Sequence, residues 1–217
     1  MGACLRSGRK REDIRLMAVT KFQTPETIDE AWKAGLRCFG ESRVQEAAAK
    51  FAACRERYPG MELHLIGSLQ RNKAKRAASL FDCIQSVDRE ALVTELAKAR
   101  SGLPLPLLLE FRTGEDTKSG FTDTGELFRV VEMIQECPSL CVTGLMTIAP
   151  DTRDEGRLRS AFRKLVTVQQ ELERRFPVRE NGSYCLSMGM SGDFEIAVEE
   201  GSTLLRIGGA LFSGERI

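Results

Sequence analysis

Short apolar runs alternate with amphipathic stretches along the whole chain, and no low-complexity linker interrupts them. The runs read as strands at 15–20, 36–39, 62–66, 83–86, 105–111, 141–147, 183–186 and 203–207. Between them lie helical patterns. Over 43–57, Val44, Ala47, Ala48, Phe51 and Cys54 share one face, and over 155–176 Leu158, Phe162, Leu165 and Leu172 do the same. Asp88 is placed to cap the helix that follows, through Arg100, and Asp123 or Thr124 the next. Repeated strand–helix units put parallel strands inside and helices outside. About eight strands in one uninterrupted domain of 217 residues predict an α/β single-domain (β/α)8 TIM barrel, somewhat shorter than the usual ~250 residues. A doubly wound open sheet is the alternative. No GxGxxG follows the first run, which counts against dinucleotide binding. Residues 1–13 read as a short, flexible N-terminus, with one helical turn around Glu12.

A barrel gathers its chemistry where strands end, because the catalytic face forms at their C-termini. Polar residues and glycines collect at those places here. The first strand ends in Thr20-Lys21, the second in Gly40-Glu41-Ser42 and the third in Gly67-Ser68-Leu69-Gln70. The fifth runs into 112–120, the sixth ends in Met146-Thr147, the seventh leads into 187–192 and the eighth into Gly208-Gly209.

Composition excludes several classes. Charge is nearly balanced at +1, so no basic excess marks a nucleic-acid partner. Arg9-Lys10-Arg11 reads as solvated surface. No run approaches membrane-span length, and the N-terminus carries no signal core. The seven cysteines form no CxxC pair, and with one histidine a zinc site is improbable. Most cysteines sit in apolar runs and read as reduced core residues, which favours a cytoplasmic chain.

Three motifs carry chemistry. In LSMGMSGDFEIAVEEG a strand enters a small loop and then a helix, whose first turn suits a phosphate, with Ser187 and Ser191 as hydroxyl donors. The plain alternative is that Ser191 or Asp193 only starts the helix. In LLRIGGALF the diglycine lets a ligand approach the backbone, and Arg206 inside the strand needs a partner. Loops seven and eight commonly form a phosphate site in such barrels. In MAVTKFQTPE an apolar strand finishes in Lys21. A lysine at a barrel mouth can form a Schiff base when burial or nearby positive charge lowers its pKa. With a phosphate site across the mouth, that suits pyridoxal 5′-phosphate, aldehyde on Lys21 and phosphate near Ser191, Gly208 and Gly209. The alternative is a structural ion pair of Lys21 with Glu41.

These segments, with HLIGSLQRNKAK, SVD, TKSGF and GLMTIAP, resemble the pyridoxal phosphate homeostasis protein family from about Arg15 to Phe212. The resemblance implies an alanine racemase-type barrel without that enzyme's second domain; relatives usually begin with a longer helix, so the N-terminal helix here is expected to be shortened. It implies a cofactor aldimine at Lys21, Arg206 facing the pyridine nitrogen, and phosphate contacts from Ser191, Gly208 and Gly209. Ile66, Gly67, Met188 and Met190 would line the cofactor's surroundings. The sequence departs from the family pattern at Ser42, Ser68 and Gly209, where Asn, His and Thr are common. His64 matches a family position and equally suits a core position.

The function so implied is a carrier. It holds pyridoxal phosphate, limits free aldehyde and delivers the cofactor to apo-enzymes, as a monomer with no nucleic-acid or membrane partner and no turnover. The alternatives are a racemase-like enzyme of low activity, using Lys21 as a one-face base, and a Schiff-base aldolase. Lys118 and Ser119, in the 117–121 loop, either contact a ligand or form a solvated turn.

Overall fold

The computed structural model describes residues 2–52, 54–114, 119–178 and 182–212. After α1 (Gly2–Ser7), β1 (Arg15–Val19) leads to α2 (Pro25–Lys33) and β2 (Cys38–Glu41). The pattern over 43–57 becomes two helices, α3 (Val44–Phe51) and α4 (Cys54–Arg57). Then come β3 (Glu62–Leu65), α5 (Ala74–Leu80), β4 (Cys83–Val87), α6 (Glu90–Ala99) and β5 (Leu105–Glu110). The chain continues through α7 (Thr124–Gln135), β6 (Leu140–Met146), α8 (Glu155–Arg175), β7 (Cys185–Ser187), α9 (Phe194–Glu199), β8 (Leu204–Ile207) and α10 (Gly209–Phe212).

The eight strands are parallel and follow chain order around a closed barrel, β8 pairing back onto β1. Closure removes the edges of an open sheet, and the open-sheet alternative falls with it. Outward strand residues such as Leu63, Leu65, Leu107 and Leu109 join the helix faces in the main core. Helix α8 buries the predicted Leu158, Phe162, Leu165 and Leu172 there, together with Ala161 and Val168.

Local signals set several helix starts. Thr24 accepts from Thr27 N with Pro25 in the first turn of α2. Asp123 caps α7 by accepting from Glu126 N at 2.8 Å, and Asp154 caps α8 from Arg157 N at 3.2 Å. Asp88 is not a cap. The cap position of α6 belongs to Arg89, and the Asp88 carboxylate instead receives the Arg89 guanidinium. That guanidinium also donates to Leu69 O at 2.7 Å, so the pair ties the end of β4 to the loop after β3.

The N-terminal segment is docked onto α9. Arg6 bridges Glu195 and Glu199 at 2.7 and 2.5 Å. Arg9 donates to Val198 O at 3.0 Å and Ser202 O at 2.6 Å, so it is tied down rather than solvated. The 3-10 turn at Arg11–Asp13 matches the turn expected around Glu12, while α1 carried no readable signal. All seven cysteines are free thiols; Cys38, Cys54 and Cys83 are buried, and Cys4, Cys137, Cys141 and Cys185 are half-buried. Among the described residues, no helix is long and apolar enough to cross a membrane.

Candidate functional site at the barrel mouth

Strand β1 carries the chain to the C-terminal end of the barrel, where it reverses at once. Gln23 N donates to Thr20 O at 3.0 Å, with Phe22 at φ 67°. A four-residue turn with a left-handed third residue normally takes glycine there. Phe22 is 80% exposed, so no burial offsets the strain. The turn presents Lys21 to solvent. From behind, Lys50 of α3 donates to Thr20 O at 2.7 Å and to Glu41 Oε1 at 2.8 Å. Glu41 is fully buried; its Oε1 also accepts from Thr20 Oγ1 at 2.7 Å, and its Oε2 has no hydrogen-bond partner. The structure therefore rejects the Lys21–Glu41 ion pair, because Lys50 occupies that place. Lys21 has no ion-pair partner among the described residues.

Register places the other half of the site. Met17 pairs with Arg206 and Ala18 with Ile207, so the Lys21 turn lies beside Gly208-Gly209. A Cβ on Gly208 would come within 3.3 Å of Val19 O, which fits the close packing of the two strand ends. At Gly209 a Cβ would meet only Ser191 Oγ, at 3.8 Å, and at Gly192 nothing within 4 Å. Ser191 Oγ accepts from Ala210 N at 3.1 Å, which joins the β7–α9 loop to the start of α10. The two loops thus border a space kept clear of side chains, with hydroxyl and backbone donors around it. Such a cradle suits an oxyanion. Ser191 bridges the loops rather than capping α9, whose cap position belongs to Asp193.

Arg206 lies below, inside the barrel and only 4% exposed. It donates to Ser187 Oγ and to Thr147 O, each at 2.7 Å. Burial draws its pKa down to about 10, opposed by Asp193 and Glu110, so it stays charged at neutral pH. Glu110 ends β5 and accepts from Ser119 Oγ at 2.6 Å; Asp193 accepts from Met190 N at 2.5 Å. Burial pushes both carboxyls up.

Of the residues singled out from sequence, Lys21, Ile66, Ser187, Met190, Ser191, Arg206, Gly208 and Gly209 fall at or just beneath the mouth. Ile66 is half-buried over Gly40, beside Met17. Gly67 is held by packing: a Cβ there would run into the Ser42 carbonyl, and Gly67 O accepts from Ser86 Oγ at 2.7 Å. Met188 is fully buried in the helix-facing core, so only its backbone reaches the strand ends. Ser119 faces Glu110 rather than forming a solvated turn; Thr117 and Lys118 lie outside the described residues. Beside the cradle opens a cleft of about 360 Å³ lined by Ile148, Pro150, Met190, Gly192 and Asp193. Sequence reasoning missed Lys50, Glu110 and Gln85 as contributors.

Barrel and mouth together define a class, the single parallel barrel of the alanine racemase N-terminal type with a lysine at the end of its first strand. The family model for the alanine racemase N-terminal domain matches residues 5–216. Within that class, the chain belongs to the pyridoxal phosphate homeostasis protein family. It is 41% identical over 214 residues to the Vibrio cholerae protein of that name, covering 96% of this chain and 88% of that one. The Aquifex aeolicus protein of the same name is 38% identical over 216 residues, 99% of this chain and 92% of that one. Among solved structures, PipY of Synechococcus elongatus with PLP bound superposes with a TM-score of 0.82 at 36% identity, covering 97% of both chains. Alanine racemase from E. faecalis shares the fold alone: TM-score 0.74, 16% identity, 99% of this chain but 57% of that one.

Proposed function

We propose that this chain binds pyridoxal 5′-phosphate at the barrel mouth and serves in its homeostasis, as a cytoplasmic carrier rather than an enzyme. The observation that supports this most strongly is the register that sets the exposed Lys21 turn beside the open glycine cradle of Ser191, Gly192, Gly208 and Gly209. When bound, the cofactor supplies an aldehyde that condenses with amines. Lys21, exposed at the mouth, is the amine that would bond it covalently. Ser191 Oγ and backbone N–H groups of the two loops would hold the phosphate. Ile66 and Met190 would border the ring.

Arg206 sets what the site does with the cofactor. A guanidinium only donates hydrogen bonds. Set against the ring nitrogen, it would favour an unprotonated nitrogen, which would weaken the electron sink that carbanion chemistry needs. Ser187 and Thr147 hold the Arg206 guanidinium in place and occupy two of its donors. This favours storage and delivery to apo-enzymes over the racemase-like alternative. The monomeric state belongs to the same reading.

The test mixes the cofactor-loaded protein with an apo-aminotransferase and, separately, with single L- or D-amino acids. The expected outcome is recovery of aminotransferase activity with no sustained racemisation. Racemisation that disappears in Lys21→Ala would establish the enzyme instead.

A further inference from the structure

The floor of the barrel, at the opposite end from the mouth, brings together three ligand-type side chains that sequence spacing keeps apart. Cys38 and Glu62 are register partners at the start of β2 and β3, so their side chains stand side by side. His64, two residues on from Glu62, shares its face of the strand. One ligand atom from each of Cys38, Glu62 and His64 lies within 4.8 Å of the other two. His64 Nε2 is 3.3 Å from Glu62 Oε2. That is long for a charge-assisted hydrogen bond, about 2.7–2.9 Å. It equals the N···O edge of a tetrahedral site with metal–ligand bonds of about 2.0–2.1 Å, roughly 3.3 Å.

We propose that Cys38, Glu62 and His64 form a site for a zinc-type divalent cation at the barrel floor, with water completing the tetrahedron. A thiolate, imidazole and carboxylate set selects zinc over magnesium or calcium. Coordination sends the Cys38 thiol proton to solvent. The floor is open for this, the Glu62 side chain being 43% exposed. The neighbours fit as supports. Arg15 donates to Glu62 Oε2 at 2.8 Å, and that oxygen keeps a second lone pair for the cation. The Gln85 amide holds His64 Nδ1 at 2.8 Å and so aims Nε2 at Glu62. Cations favour such an outer partner on a ligating histidine.

Gln85 connects floor to mouth. Arg206 can only donate, so Ser187 Oγ accepts from it and passes its own hydrogen to Gln85 Oε1 at 2.6 Å. Gln85 Nε2 is then left to donate to His64 Nδ1, and His64 carries its proton on Nε2. A cation on Nε2 requires the reverse: a proton on Nδ1, donated to Gln85 Oε1. Occupying the floor therefore turns the Gln85 amide around and breaks its bond from Ser187, directly beneath Arg206. By linkage, cofactor and cation then alter each other's affinity by the same factor. Only this effect at the mouth rests on the cofactor reading; the floor site stands or fails without it.

Cobalt chloride titrated into the purified full chain tests the site. We expect one equivalent bound with thiolate-to-cobalt charge transfer and the intense visible bands of tetrahedral cobalt, displaced by zinc chloride. Cys38→Ser abolishes the charge transfer, while Cys83→Ser, at a buried thiol on β4, retains it. Gln85→Leu weakens binding about 10–100-fold. The chain has one histidine, so nitrogen-15 spectra report His64 alone, and zinc should move its proton from Nε2 to Nδ1. Charge transfer that survives Cys38→Ser, or a His64 spectrum unmoved by zinc, overturns the site. Should Cys38→Ser not fold, Glu62→Gln at the exposed rim is the second variant, expected to weaken cobalt binding at least about tenfold; unchanged affinity there overturns the site as well. With pyridoxal phosphate bound, zinc should shift the chromophore's absorption. No shift, with cobalt binding intact, overturns the link to the mouth alone.

Discussion

Lys50 is the residue on which the Lys21 turn depends most. It neutralises Glu41, which is wholly buried, and holds Thr20 O at the same time. Removing one member of a buried ion pair strands the other and typically costs about 3–5 kcal/mol. Lys50→Met should lower the urea midpoint accordingly. Adding Glu41→Gln should recover part of the loss, since a neutral amide still accepts from Thr20 Oγ1. Equal stability of Lys50→Met and wild type would show that Glu41 needs no counter-charge. Neither role was readable in the sequence, because Lys50 falls on the polar side of its helical pattern. Lys21 was readable as a strand-ending lysine at the barrel mouth. Its freedom from Glu41 was not, because Lys21 and Lys50 are equally plausible partners until the helix is placed. Arg206 and His64 stood out as polar residues inside apolar runs. Gln85 is the same kind of signal, in the run Cys83-Ile-Gln-Ser, and links those two.

At the scale of elements, strands were legible because parallel barrel strands are buried on both faces and read as unbroken apolar runs. Their pairing was legible only as an order, not as a register. The juxtapositions that matter, Lys21 beside Gly208 and Cys38 beside Glu62, are properties of register. Glycines show the limit from the other side. The family resemblance counts Gly67 among the residues around the cofactor, yet its constraint is the Ser42 carbonyl packed against it. Gly67→Ala must part the loops after β2 and β3, at about 1–3 kcal/mol for overpacking. Thermal unfolding checks this; an unchanged midpoint would mean that the loops yield freely.

Across the whole molecule, polar side chains and thiols share the barrel interior with Met17, Leu108, Met146 and Leu204, where such barrels are usually filled by branched aliphatics. Arg15, Glu62, His64, Gln85, Ser187 and Arg206 form one hydrogen-bonded line from floor to mouth. This line makes stability depend on pH. The His64 hydrogen bond, then Arg15, hold the Glu62 carboxyl down at about 2 against the cost of burial. A depressed carboxyl contributes stability that is complete above its unfolded value, about 4.3. That contribution is lost as pH falls toward the folded value. Glu110 and Asp193, pushed up by burial, act in the opposite sense. They cost stability at neutral pH, and the cost is relieved as they protonate. Urea unfolding of Glu62→Gln between pH 5 and about 2 should therefore show a flatter acid limb than wild type. Parallel limbs would remove Glu62 from the account.

The mouth makes the central claim, and the most direct measurement is the visible absorbance of the purified protein with added pyridoxal 5′-phosphate. Spectra are taken before and after borohydride, for wild type and Lys21→Ala, with the adduct mapped by peptide mass. The expected result is a visible band in wild type that borohydride bleaches, with one pyridoxyl adduct on Lys21, and neither in Lys21→Ala. No uptake by wild type, or an adduct on any other lysine, would contradict it.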